Sequence, residues 1–308
     1  MSLSIFTNAS SMASTNAMNK SNNLLSTAME RLGTGKRINS AADDAAGLQI
    51  ATRLQGQTNG MTVAQRNISD ATAMLQTAEG AFDEVSNIMY RMKDLATQAA
   101  NDTNTQKDRD AINSELNDLN SELTNIMKNT SYAGDKLFTG SDSKFANALN
   151  FQIGSSTDET MQIDLSKELK GGTTASGALV DSKGVFNGIS NASGATLTGA
   201  SGGYMKSDKI EITTAEGAKS LMDNLESTLN EVGSVRSKMG ASINRLSHTA
   251  ANLANMKDNT DLALSNIQDA DYATEASSMT RNQLLAQTSM SMLKTSNSMS
   301  SMVMSLLG

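Results

Sequence analysis

The 308-residue sequence predicts a mainly α protein: a long coiled-coil or helical-bundle chain with a small β-hairpin and a Gly-rich outer loop. Three observations carry this. Apolar residues recur every seven positions through residues 61–99. The chain contains no Pro, the residue that breaks helices. Only the middle of the sequence loses the helical period and turns to alternation and glycine.

Met61, Ile68, Leu75, Phe82, Met89 and Ala96 occupy one heptad position, and Ala64, Ala71, Ala78, Val85, Met92 and Ala99 its partner. All are apolar, which is coiled-coil periodicity. Ser40 and Asp43 form an S-x-x-D capping signature ahead of the run, predicting a helix from about Asp43 to Ala99, roughly 85 Å long. Alanine in the seam permits close approach of other helices. Gly80 falls on the opposite side, where it weakens the helix without opening the core.

A second helix follows the polar break Asn101–Gln106, with Ile112, Leu116, Leu119, Leu123 and Ile126 on one face. A third repeats Leu225, Val232, Met239, Leu246 and Leu253, although Arg236 and Lys257 interrupt its companion positions. The predicted bundle core comprises Ile68, Leu75, Phe82, Met89, Leu225, Val232, Met239, Leu246 and Leu253. Between these helices, Leu149, Phe151 and Ile153, then Met161, Ile163 and Leu165, alternate with polar residues and predict a hairpin. Residues 171–207 hold nine Gly in 37 positions and little apolar content, so they read as an exposed excursion. Ile210 and Ile212 mark the return.

The ends differ in character. Residues 1–29 carry one charge, Lys20, and residues 276–308 carry two, Arg281 and Lys294. Each has a thin stripe: Met18, Leu25 and Leu32, and Leu285, Met292, Met299 and Leu306. Such helices are marginal alone. The two stripes are expected to pair with each other and with ends from other subunits.

The net charge of -7 argues against nucleic acid or an anionic membrane as partner. The apolar runs are short of a membrane span, and the first 19 residues lack the basic and apolar blocks of a cleaved export signal. Such a chain is cytoplasmic or exported by a route that reads no such signal. With no Cys and one His, neither a thiol nucleophile nor a two-His metal site is available in one chain. His248, between Ser247 and Thr249, reads as a solvated helix residue. Asp43–Asp44 and Asp269–Asp271 read as helix-capping carboxylates. No catalytic residue, cofactor site or metal site is predicted, and no enzyme.

The segments AMERLGTGKRINSAADDAAGLQIATRL (28–54), LQTAEGAFDEVSNIMYRMKDLATQAAN (75–101) and ALSNIQDADYATEASSMTRNQLLAQTSMSML (263–293) closely resemble bacterial flagellin. The stretch ALNFQIGSSTDETMQIDLS (148–166) is similar to the hairpin of the family's inner domain. The resemblance covers 1–170 and 208–308, and looks like a short, lateral-type flagellin with reduced outer domains.

It implies nested, discontinuous domains: 1–42 and 263–308 as the two parts of an inner coiled coil, 43–170 and 208–262 as the helical bundle with its hairpin, and 171–207 as the variable outer segment. It implies a secreted, extracellular, self-polymerising subunit of the flagellar filament used in motility and delivered by type III export. The absence of Pro and Cys fits repeated unfolding and refolding, since neither prolyl isomerisation nor disulfide trapping can slow it. The implied partners are further copies of the chain, the filament cap and hook-associated proteins, and an export chaperone at the C-terminal end. The family's receptor-facing motif matches at Arg91, Leu95 and Glu115, implying recognition by Toll-like receptor 5 in hosts. The alternative within reach is a hook–filament junction protein, which has similar ends but caps a joint. A signalling or enzymatic coiled coil would need a catalytic constellation or a membrane span.

Overall fold

The computed structural model describes residues 8–138, 143–165, 205–206 and 209–307. Apart from Met205 and Lys206, the expected outer segment 171–207 lies outside them. The described chain runs α1 (Ala9–Thr34), α2 (Ala45–Ala99), α3 (Gln106–Asn129), the short strands β1 (Ser131–Tyr132) and β2 (Asp135–Lys136), β3 (Leu149–Gln152), β4 (Thr160–Ile163), β5 (Met205–Lys206), β6 (Lys209–Ile210), α4 (Ala215–Gln268) and α5 (Tyr272–Leu307). The chain is mainly α. Two compact units result: residues up to Asn59 with those from Met256, and Gly60 to Asn255. Their boundaries fall inside α2 and α4. A continuous helix can change packing partners without any break in its backbone.

In the unit from Gly60 to Asn255, all twelve residues of the α2 double heptad are buried. They share one core with Ile112, Leu116, Leu123 and Met127 of α3 and with Leu221, Leu225, Val232, Val235, Met239, Leu246 and Leu253 of α4. All nine expected core residues lie inside it. The two charges that interrupt the α4 pattern are only partly exposed. Arg236 pairs with Asp83 of α2 at 2.9 Å, and Lys257, in the other unit, with Asp261 one turn along its own helix at 3.2 Å. Long cationic side chains can lie along apolar surface with their heads at the rim.

Phe82 has company that heptad spacing does not reveal. Phe138 meets it edge-on at 4.9 Å, and Phe145 stacks on Phe138 at 5.8 Å. Such aromatic pairs add to the energy of burial.

Thr105 and Asp108 form a reciprocal capping box at the start of α3. The Thr105 hydroxyl, then its backbone N–H, hold the Asp108 carboxyl below its ordinary pKa. The hairpin pairs Leu149 with Ile163 and Phe151 with Met161. It presents Met161, Ile163 and Leu165 to the core. Its turn rests on α2 at Gly60, where a Cβ would stand 2.7 Å from that of Ser155 and 3.2 Å from its Cα. Asn67 donates to the Gln152 carbonyl nearby, at 3.2 Å. The returning chain is gripped by two carboxamides. Asn113 and Asn117 each exchange a pair of hydrogen bonds with the backbone of Ile212 and Ile210 respectively.

Candidate assembly surface

The other unit is built on α1 and α5, which run antiparallel. At one end Asn8 donates to the Ser296 hydroxyl at 2.8 Å and Ser10 shares a hydrogen bond with it. At the other end Arg31 and Glu275 form an ion pair at 3.0 Å. A cation in the last turn of α1 and an anion in the first turn of α5 each complement their own helix dipole.

Past Thr34 the chain turns through Gly35, whose φ of 72° is the left-handed conformation that glycine adopts without strain. The Gly35 carbonyl accepts from Ala270, Lys36 bridges to Asp269, and Arg37 donates its backbone N–H to Gln268. The connection of α1 and the connection into α5 are thereby laced together.

The carboxylates here divide their roles. Asp43 accepts from the backbone N–H of Ser40 and Asn39, which hold its pKa below the ordinary value. It closes a turn, and Asp44 is the residue that caps α2 by accepting from Gly47 at 2.8 Å. The helix therefore starts two residues later than the S-x-x-D signature suggested. Asp271 caps α5: the Thr274 hydroxyl and the backbone N–H groups of Ala273 and Thr274 lower its pKa. Asp269 serves its own helix instead, its carboxylate accepting from the Ser265 hydroxyl at 2.6 Å.

Along α1, Met18, Leu25 and Leu32 are half-buried on the stripe that also carries the buried Ser21 and Ala28. This is the face toward α5. The C-terminal stripe lies elsewhere. Leu285, Met292 and Met299 are 48%, 59% and 58% exposed. The face α5 turns to α1 instead follows Asn282, Ala286, Ser289, Leu293 and Ser296, with Ser289 buried. The expectation that the two apolar stripes meet is corrected here. Small and polar residues let two helices approach closely, and the larger apolar ones are left on the outside. The side chain of Leu306 lies outside the described residues. On α1, Met12, Leu24 and Met29 are also exposed.

On the bundle, Arg91 donates to Glu115 through Nε at 3.0 Å and Nη2 at 2.7 Å, tying α2 to α3 at the surface. Leu95 is only 3% exposed and belongs to the core, so the third member of the expected receptor motif is not on that surface. His248 is exposed on α4. Among the described residues no cluster of His, Asp and Glu could hold a metal ion, and no described helix is long and apolar enough to cross a membrane.

Residues 5–143 match the bacterial flagellin N-terminal helical region and residues 222–307 the bacterial flagellin C-terminal helical region. Flagellin D of Vibrio anguillarum is 33% identical over 377 aligned positions, which span the whole of both chains. Polar flagellin C of Vibrio parahaemolyticus is 34% identical over 387, again spanning both. These alignments are longer than the chain, so both relatives carry additional residues. Among solved structures, a Vibrio parahaemolyticus protein described as a candidate flagellar hook-associated protein aligns over 74% of this chain and all of its own, with a TM-score of 0.54 and 17% identity. That likeness is one of fold alone. Matched at both ends by flagellin regions and along its whole length by flagellins, the chain belongs to the bacterial flagellin family, whose members are structural proteins of the flagellar filament and not enzymes.

Proposed function

We propose that this chain polymerises through the outward faces of α1 and α5. The observation that carries the reading is the apolar set left in water there: Leu24, Met29, Leu284, Leu285, Met292 and Met299, all more than 40% exposed. Each such side chain is worth about 1.5–3 kcal/mol once fully buried, so contacts between copies stabilise what one copy leaves open. A contact that does not return on itself propagates as a helical polymer.

Leu306 extends the same seven-residue spacing and is proposed as part of the surface. In this reading 1–42 and 263–308 form the inner coiled coil, 43–170 and 208–262 the bundle, and 171–207 the outer segment. The chain travels unfolded through the type III export route, escorted by a chaperone on its C-terminal end. It adds at the filament tip beneath the cap, and hook-associated proteins form the base of the polymer.

Electron microscopy of the purified protein after ammonium sulfate seeding tests this. Micrometre filaments are expected, and a protein that stays monomeric under all seeding conditions overturns it.

A second reading rests on the Arg91–Glu115 pair, whose side chains are 55% and 46% exposed. These two residues match the family's receptor-facing motif, and we propose that the monomer is recognised by Toll-like receptor 5 through them, without Leu95.

A further inference from the structure

Among the described residues, the buried and the most exposed methionines lie on different elements. Met61, Met74, Met89, Met92, Met127, Met161 and Met239 are at most 6% exposed, and all lie between Gly60 and Asn255. Met12, Met29, Met290, Met292, Met299 and Met302 are between 51% and 62% exposed, and all lie on α1 or α5, while Met256 of α4 is 41% exposed. The chain has no Cys, so thioether is its only sulfur chemistry and no thiol competes for an oxidant.

We propose that Met12, Met29, Met290, Met292, Met299 and Met302 are a peroxide-sensitive modification site whose conversion to sulfoxide arrests polymerisation while the bundle stays folded.

The reaction is oxygen transfer. The thioether sulfur attacks one oxygen of hydrogen peroxide, the O–O bond breaks, the S–O bond forms, and after proton transfer water leaves. Sulfur loses two electrons and peroxide gains them. Access selects the site, because a sulfur sealed in a close-packed core cannot meet the oxidant. The product is a polar, chiral side chain on a surface that must become dry. Burying its oxygen without a hydrogen-bond donor is unfavourable, so contacts between copies fail first. Methionine sulfoxide reductases reverse the change, one enzyme for each epimer. In the polymer the same sulfurs are covered, so the free subunit is the vulnerable form. This regulation rests on the assembly reading above.

The test exposes monomer to a graded dose of hydrogen peroxide, maps oxygen addition at each methionine by peptide mass spectrometry, and measures seeded polymerisation and circular dichroism. Oxygen should enter the six exposed methionines of α1 and α5 well before Met61, Met89, Met92, Met127 and Met239. Helicity should be retained while the critical concentration rises roughly tenfold or more. Treatment with both reductases should restore growth. A variant carrying Leu at all six positions should polymerise after the same dose. Equal oxidation of the buried set, or unimpaired growth of protein oxidised at the exposed set, overturns the proposal. If untreated protein does not polymerise, the assembly reading fails and the regulatory half falls with it, while the mass map still decides the modification site. If the Leu variant does not grow even untreated, rescue by the reductases decides.

Discussion

Asn113 holds Ile212 by both hands: its Nδ2 donates to the Ile212 carbonyl at 3.1 Å, and its Oδ1 accepts the Ile212 N–H at 2.8 Å. A buried carboxamide thus stands in for a neighbouring strand, satisfying the Ile212 backbone, which pairs with no strand among the described residues. Asn117, one helical turn later, makes the same pair of bonds to Ile210, which also pairs with Met205 of β5. Asn113→Ala leaves an N–H and a carbonyl unsatisfied, at about 1–3 kcal/mol for each buried group. Denaturant unfolding should show a loss of about 2–6 kcal/mol. A change below about 0.5 kcal/mol would mean that water replaces the carboxamide without loss.

Two glycines of α2 should respond with opposite signs. Gly80 is exposed, with nothing within 4 Å of an added Cβ, so Gly80→Ala should stabilise by about 0.5–1 kcal/mol through helix propensity. Gly60→Ala drives a methyl against the Ser155 backbone and should destabilise by about 1–3 kcal/mol as the hairpin shifts. Thermal melts of the two variants, run side by side, check the contrast.

Removing Thr295–Gly308 should block polymerisation and barely move the melting of the monomer. The deleted piece includes Ser296 and Asn297, which hydrogen-bond to Asn8, Ser10 and Ser11 at the end of α1. These hydrogen bonds are exposed or part-buried and belong to the α1–α5 unit, so the core between Gly60 and Asn255 loses none of its contacts. Calorimetry of the monomer paired with turbidity of assembly decides it. A truncated monomer that melts several degrees lower, or one that grows normally, contradicts the reading.

Arg91→Ala and Glu115→Ala should each change stability by less than about 1 kcal/mol, the ordinary range for an exposed ion pair. Both should lower activation of Toll-like receptor 5 in a reporter-cell assay, because arginine is enriched among interface anchors. Leu95→Ala should behave differently, destabilising by about 2–5 kcal/mol through loss of core packing. Undiminished receptor activation by the Arg91 and Glu115 variants would remove the proposed epitope.

Acid should loosen the starts of α3 and α5 and the turn before α2. Asp43, Asp108 and Asp271 all have pKa values held below the ordinary 3.8 by hydrogen bonds made in the folded chain. A depressed folded pKa contributes stability that is fully present above 3.8 and is lost as pH falls through the lower folded values. Circular dichroism between about pH 5 and 2 should therefore show helix loss that begins below about 3.8, with the sign set by those depressed values. Asp108→Asn removes one titrating cap, so its stability should fall less steeply over the same range. An identical slope would show that the Asp108 cap does not contribute.

The strict heptads of α2 were legible from residue order because both seam positions are apolar throughout, and all twelve are buried. The hairpin was equally legible, since alternation has only one period to follow, and Phe151 faces Met161 as the spacing requires. Membership of the flagellin family was carried by long stretches of side chains, which do not depend on packing.

Three features waited for the folded chain. Apolar periodicity pointed to Leu285, Met292 and Met299, yet α5 meets α1 through Ala286, Ser289 and Ser296. A seam of small and polar residues gives no hydrophobic signal, because close approach of backbones depends on what is missing from the side chain. Asn113 and Asn117 look like surface residues of α3 until the returning chain supplies the backbone groups they bind. Leu95 read as part of a receptor face because it shares a motif with Arg91, but four residues of helix do not reveal which side of it a second helix will cover. Periodicity along one helix reports which residues can be buried together. The neighbour that covers them comes from distant sequence, and only the folded chain brings it into contact.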